Sequence, residues 1–226
     1  IYYTRTCNSR CGFCNIPDTG IKYDIQEIKL KQWETLFLNL EQLGIKTVKL
    51  LGGEPTEKID LNPLLKLIRF VKKNTNIKLA LLSNSKWDKA KWFDKFCSSG
   101  LFGYYASIDA VEGETTCHDT LEKSQKGYQV LLDLQKDGSI PLLAANIVIS
   151  KKNIKQIPKL AKLLSDKGFY INICPLQCFD NQPTYNNKKI EYHFRKKKTR
   201  IELSSEDKQE IKKVVEELVF LQKKRC

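Results

Sequence analysis

Two rhythms of apolar residues alternate along the chain. Short runs rich in β-branched and aromatic residues read as strands: "IYYTR" from Ile1, "KTVKLLGG" from Lys46, "IKLALLSNS" from Ile77, "YYASID" from Tyr104, "PLLAANIVIS" from Pro141 and "FYINICP" from Phe169. Between them lie stretches whose apolar residues recur every three or four positions and read as helices. In "LKQWETLFLNLEQLG", Leu30, Trp33, Leu36, Phe37, Leu40 and Leu43 share one face, and Gly44 ends the pattern. "NPLLKLIRFVKKN" carries Pro63 in its first turn, where a missing N–H costs nothing. "WDKAKWFDKFCSSG", "LEKSQKGYQVLLDLQKDG" and "NIKQIPKLAKLLSDKG" complete the internal set. A last helix, "SSEDKQEIKKVVEELVFLQKKR", has an S-x-x-D/E start at Ser204 or Ser205.

Strands and helices in strict alternation predict an α/β fold with parallel strands, a partial (β/α)6 barrel with an added C-terminal helix. "LALL" and "ANIVI" are continuous apolar runs, as expected of parallel strands covered on both faces. Residues 1–179 form the expected barrel core. Residues 180–226 form an irregular basic loop and the last helix, expected to cover a substrate pocket.

Composition narrows the class. With 226 residues, 41% hydrophobic and 29% charged, the chain has enough material for one packed domain. No apolar run approaches the roughly 18 residues of a membrane span, and no secretory signal opens the sequence, so the expected location is cytoplasmic. The chain contains no Met and starts inside a predicted strand, which suggests a piece of a longer protein. The net charge of +13 points to an acidic or anionic partner, or simply to a basic proteome. Its densest run, Lys188 to Arg200, is either a solvated loop or a phosphate-contacting patch for a nucleic acid.

Polar residues collect at the C-terminal ends of the strands, where barrels of this kind place their chemistry. Strand one runs into "RTCNSRCGFCNIPDTG", with Cys7, Cys11 and Cys14; strand two ends at "GGEP", Gly52 to Pro55. Strand three ends at Ser83 and Asn84, and strand four at Ser107 and Asp109. Strand five contains Asn146, and strand six leads to Cys174 and Cys178. Clustered cysteines without an export signal read as metal ligands before disulfides. Three thiolates suit zinc with a fourth ligand from elsewhere, for which only His118, His193 or another Cys is available. They equally suit an iron–sulfur cluster with one iron left open.

The C-x₃-C-x₂-C spacing, with Phe13 before its last Cys and GGEP at the next strand end, resembles the radical S-adenosylmethionine (radical SAM) enzymes. The resemblance covers Ile1 to about Leu176. "LLSNS" and "SID" resemble the branch containing the molybdenum-cofactor cyclase and the peptide-modifying enzymes. It implies that Cys7, Cys11 and Cys14 bind a [4Fe-4S] cluster whose fourth iron takes the methionine part of S-adenosylmethionine (SAM). By the same resemblance, Gly52, Gly53 and Glu54 lie against the SAM amino group and Phe13 near the adenine. Ser83, Asn84, Ser107 and Asn146 are its other expected cofactor-binding residues, Ser83 and Ser107 toward the carboxylate or ribose and Asn146 toward the ribose. The alternatives are that the strand-end serines cap helices, that Asn146 satisfies buried backbone, and that Asp109 serves a turn.

The implied chemistry is reductive cleavage of SAM to a 5′-deoxyadenosyl radical that abstracts hydrogen from, or adds to, a substrate. A peptide or small metabolite is the favoured substrate, an RNA base reached through the basic segment is one alternative, and a non-enzymatic metal-binding module is the other. The implied electron donor is a flavodoxin or ferredoxin, acidic proteins that a basic surface attracts. Cys174 and Cys178 are either packing and spare thiols or mouth-facing groups, for an auxiliary iron–sulfur cluster with Cys226 or residues beyond this chain, or for hydrogen transfer. Cys97 and Cys117 are expected to be structural.

Overall fold

The computed structural model describes residues 1–9, 11, 14, 27–57, 61–86, 95, 98–112, 125–176, 184–185, 188–189 and 203–223. Six strands, β1 (Tyr2–Thr4), β2 (Thr47–Gly52), β3 (Lys78–Ser83), β4 (Gly103–Ser107), β5 (Leu142–Ile149) and β6 (Tyr170–Pro175), form one sheet in sequence order. The register is parallel from β1 to β4, with Thr47 opposite Lys78 and Ser83 opposite Ala106. The helices are α1 (Leu30–Gln42), α2 (Asn62–Asn74), α3 (Gln125–Lys136), α4 (Ile157–Asp166) and α5 (Lys208–Lys223). The order and direction are those expected of the (β/α)6 pattern. The helix expected from Trp87 to Gly100 lies largely outside the described residues. No helix among the described residues is long and apolar enough to cross a membrane.

The chain divides into two compact units. The first comprises Ile1–Ser9, Ile16–Ala106 and Ser124–Ala144, and the second Arg10–Asn15, Ser107–Lys123 and Ala145–Cys226. In the first unit, Val48, Leu50, Leu79, Leu81, Tyr104 and Ala106 share one sheet face, and all are buried. Leu64, Leu65, Leu67, Ile68 and Val71 of α2 are likewise buried, the spacing that a helix laid on a sheet requires. Tyr3 and Trp33 meet with ring centroids 5.5 Å apart, linking β1 to α1. The opposite sheet face is not uniformly apolar. Lys49 is half-buried there, its ammonium 3.5 Å from the centre of the Tyr105 ring.

Two helix ends depart from the pattern. Leu43, expected on the apolar face of α1, is 76% exposed, because α1 ends at Gln42 and Gly44 turns the chain away with φ 74°. The segment from Asn153 opens as a short 3-10 turn over Ile154–Gln156, and α4 begins only at Ile157, with Pro158 in its first turn.

In the second unit, Ile157, Leu160, Ala161 and Leu164 of α4 are buried. Before α5, the capping box falls on Ser204: its backbone N–H and its hydroxyl both donate to Asp207 Oδ2, at 2.6 and 2.9 Å. The irregular stretch expected over 180–201 contains a small antiparallel pair, with Thr184 opposite Lys189 and Tyr185 opposite Lys188. The rest of the basic run to Arg200 lies outside the described residues.

Phe37 is fully buried, so Phe37→Ala is expected to cost about 3–5 kcal/mol in urea unfolding. Leu43→Ala is expected to stay within about 0.5 kcal/mol of wild type.

Candidate functional site

The first unit brings candidate residues together at the ends of β1, β2 and β3. β2 ends in glycine because backbone from β1 comes too close for a side chain. A Cβ on Gly53 would lie 2.0 Å from the carbonyl oxygen of Thr6, and one on Gly52 2.3 Å from that of Thr4. The Gly53 N–H donates to Thr4 O at 2.8 Å and the Glu54 N–H to Thr6 O at 2.6 Å. The segment entering Cys7 is thus laid directly on the GGE turn.

A second contact draws both ends of the cysteine loop together. Glu27 accepts hydrogen bonds on one carboxylate oxygen from the Thr4 hydroxyl and from the Arg5 N–H, the latter at 3.1 Å. Thr4 and Thr6 hydroxyls are also 2.9 Å apart. Sequence reasoning passed over Glu27, Asn8 and Ser9, since a Glu ahead of a helix carries no distinctive signal.

Glu54 is 1% exposed. Its Oε1 accepts from the Thr56 N–H and hydroxyl, its Oε2 accepts the Asn84 N–H at 2.7 Å, and the Ser83 hydroxyl also donates to it. Burial pushes its pKa up, and the four donors only partly offset that. Asn84, 7% exposed, donates from its amide to Asn8 Oδ1 at 2.7 Å and to Ser9 Oγ at 3.1 Å, and its own Oδ1 accepts the Lys86 N–H. Ser83 Oγ accepts the Ser85 N–H at 3.0 Å. The structure therefore brings Cys7, Gly52, Gly53, Glu54, Ser83 and Asn84 into one hydrogen-bonded group.

Cys11 and Cys14 belong to the second unit, where the Cys14 N–H donates to Cys11 O at 3.0 Å. All three thiols are half-buried and outside any disulfide. Among the described residues no three His, Cys, Asp or Glu side chains converge as ligands of one metal ion. A [4Fe-4S] cube asks for something different, one thiolate per iron corner, so its ligands stand farther apart than those of a single ion. Soft thiols are the donor type that such a cluster takes, and Cys7, Cys11 and Cys14 each supply one. Phe13, Cys178, Cys97, Cys117, His118, His193 and Cys226 lie outside the described residues.

The second unit holds the remaining candidates. Ser107, 4% exposed, ends β4, and the next N–H, of Ile108, donates to Asn146 O at 3.1 Å. Asn146 Oδ1 accepts from Asn172 Nδ2 at 2.6 Å, and Cys174 Sγ lies 3.4 Å from that same nitrogen and 3.7 Å from Asn146 Oδ1. Residues 172 and 174 share a face of β6, so two amides and a thiol form one polar cluster. Asp109 is fully buried, and its Oδ1 accepts the Val148 N–H at 2.9 Å. Asn153 donates to the Asp109 and Val148 carbonyls, both at 2.7 Å, which is the turn-stabilising alternative for Asp109.

Gly53→Ala forces the β1 and β2 backbones apart and is expected to cost about 1–3 kcal/mol, read from the urea midpoint. For Glu54, a pKa raised above the ordinary 4.5 means that the folded chain keeps a proton the unfolded chain has released. Its contribution is complete below the unfolded value and lost as pH rises through the folded one. Glu54→Gln does not titrate, so the stability of wild type relative to this variant is expected to fall as pH rises from about 4 toward neutrality. Urea midpoints across that range check it.

Comparison with known proteins places these residues in a family. The model of the Radical SAM superfamily matches residues 1–164. GTP 3′,8-cyclase of Synechococcus elongatus is 27% identical over 183 residues, covering 79% of this chain and 54% of that protein. Streptococcus suis SuiB bound to S-adenosylmethionine matches in fold with a TM-score of 0.66 at 17% identity, covering 98% of this chain and 47% of that one. TsrM from Kitasatospora setae, with cobalamin and a [4Fe-4S] cluster bound, matches with a TM-score of 0.54 at 16% identity, over 77% of this chain and 36% of that one. The chain spans about half the length of the curated relatives it matches. The chain belongs to the radical SAM superfamily, an enzyme class whose cofactors are a [4Fe-4S] cluster and S-adenosylmethionine.

Proposed function

We propose that this chain is the core of an enzyme that reductively cleaves S-adenosylmethionine and takes a hydrogen atom from, or adds to, a small metabolite or peptide. The observation that carries this reading is the seating of the Cys7 segment on Gly52, Gly53 and Glu54, within the 164 residues the family model matches. When bound, the cluster supplies one electron to the sulfonium of S-adenosylmethionine, and the released 5′-deoxyadenosyl group is the hydrogen acceptor. Cys7, Cys11 and Cys14 hold three irons. Gly52 and Gly53, which carry no side chain, would present their backbone to the amino group of S-adenosylmethionine, and the resemblance gives Phe13 to its adenine. Ser107, at the end of β4, and Asn146, within the neighbouring β5, would contact its carboxylate or ribose.

The named activity of the relatives, on GTP, supports a small metabolite as substrate. A net charge of +13 supports an acidic electron donor, a flavodoxin or ferredoxin.

Anaerobic reconstitution with iron and sulfide, followed by incubation with S-adenosylmethionine and dithionite, is expected to yield 5′-deoxyadenosine and methionine. Cys7→Ala, Cys11→Ala and Cys14→Ala are each expected to abolish the yield. A wild-type chain that binds no iron and sulfide, or that binds them and releases no 5′-deoxyadenosine, overturns the reading.

A further inference from the structure

Cys7 sits inside a closed circuit of hydrogen bonds. On one side the Glu54 N–H donates to the carbonyl of Thr6, the residue before Cys7, at 2.6 Å. On the other, Asn84 Nδ2 donates to the side chain of Asn8, the residue after it, at 2.7 Å. The Asn84 N–H closes the circuit on Glu54 Oε2 at 2.7 Å. Across the turn, the Ser9 N–H points at Cys7 Sγ at 3.4 Å, and Ser9 Oγ accepts the second bond from Asn84 Nδ2.

We propose that Asn84 is a positioning residue for the Cys7 sulfur, its carboxamide holding the Asn8–Ser9 turn so that the Ser9 N–H stays on that sulfur. This rests on the reading that Cys7 is a cluster ligand. The turn is polar and Asn8 is exposed, so apolar packing does not hold it in place. Asn84 is anchored at its N–H and at its Oδ1, which leaves both amide hydrogens for the turn. The geometry asks for a planar group with two hydrogens on one atom: Asp has none to give, Ser has one, and Gln is a methylene too long. The consequence for an iron–sulfur cluster is electrical. A hydrogen bond to a ligand sulfur stabilises the more negative, reduced state and raises the reduction potential. Asn84 contributes to that potential without touching the cluster, and Glu54, which accepts the Asn84 N–H, keeps Asn84 in register.

The test uses the reconstituted full chain in the absence of S-adenosylmethionine. The potential is measured by redox titration with electron paramagnetic resonance detection, and iron release by a chelator challenge. Asn84→Ala is expected to lower the potential, alter the resonance line shape and speed iron release about 10-fold. Asn84→Ser, with one donor left, is expected to shift the potential in the same direction by less. It carries the test should the alanine variant not fold. Leu79→Ala truncates the core on the same strand, and is expected to lower the urea midpoint with the potential unmoved. An unchanged potential in the Asn84 variants overturns the proposal whatever the release rate, as does an equal shift in Leu79→Ala. A wild-type chain that takes up no iron and sulfide instead overturns the reading of Cys7 as a ligand.

Discussion

The backbone from Thr4 to Thr6 lies so close to Gly52 and Gly53 that no Cβ fits between them, and the surroundings of Cys7 depend on that approach. Two hydrogen bonds, Gly53 to Thr4 and Glu54 to Thr6, replace the side-chain packing that would otherwise separate the strands. Glycine is needed here because the space is already filled by a neighbouring carbonyl. Its greater entropy in the unfolded chain is the cost of seating the cysteine-bearing segment directly on a strand end.

Once that approach is made, polar groups are forced inward, and their pairing becomes a matter of stability as well as of chemistry. Glu54 is buried, and an unpartnered carboxylate there would cost several kcal/mol. It is met by donors from Thr56, Asn84 and Ser83 and so becomes a link between the ends of β2 and β3. Asn84 carries the same link to the cysteine loop. The carboxylate thereby holds the supports of the loop. Such networks are favourable only when every member is satisfied, which makes them sensitive to single substitutions.

The second unit solves a similar problem with neutral groups. Asn153 bridges the carbonyls of Asp109 and Val148, while its Oδ1 accepts from the Ser150 N–H and hydroxyl, so the turn after β5 is held by one side chain. The Asn146, Asn172 and Cys174 cluster follows from strand geometry: alternate residues of β6 face the same way, and β5 supplies the third member beside them.

Much of this was legible in the sequence. Period-two and period-3.6 patterns located the described strands and helices, because burial selects apolar residues at those spacings whatever the tertiary detail. Gly44, Pro63 and the Ser204 capping box marked element ends through purely local chemistry. The cysteine spacing and GGEP marked the family, since few other uses put three thiols and paired glycines at successive strand ends. Tertiary structure alone decided where each polar group points. Asn84 and Asn8 are 76 residues apart, and nothing in their types says that they meet. Leu43 fits the apolar stripe of α1 yet stands in solvent, because the chain has already turned away. Hydrogen bonds between strand ends depend on sheet register and on how closely two backbones approach, and both arise only when distant segments pack.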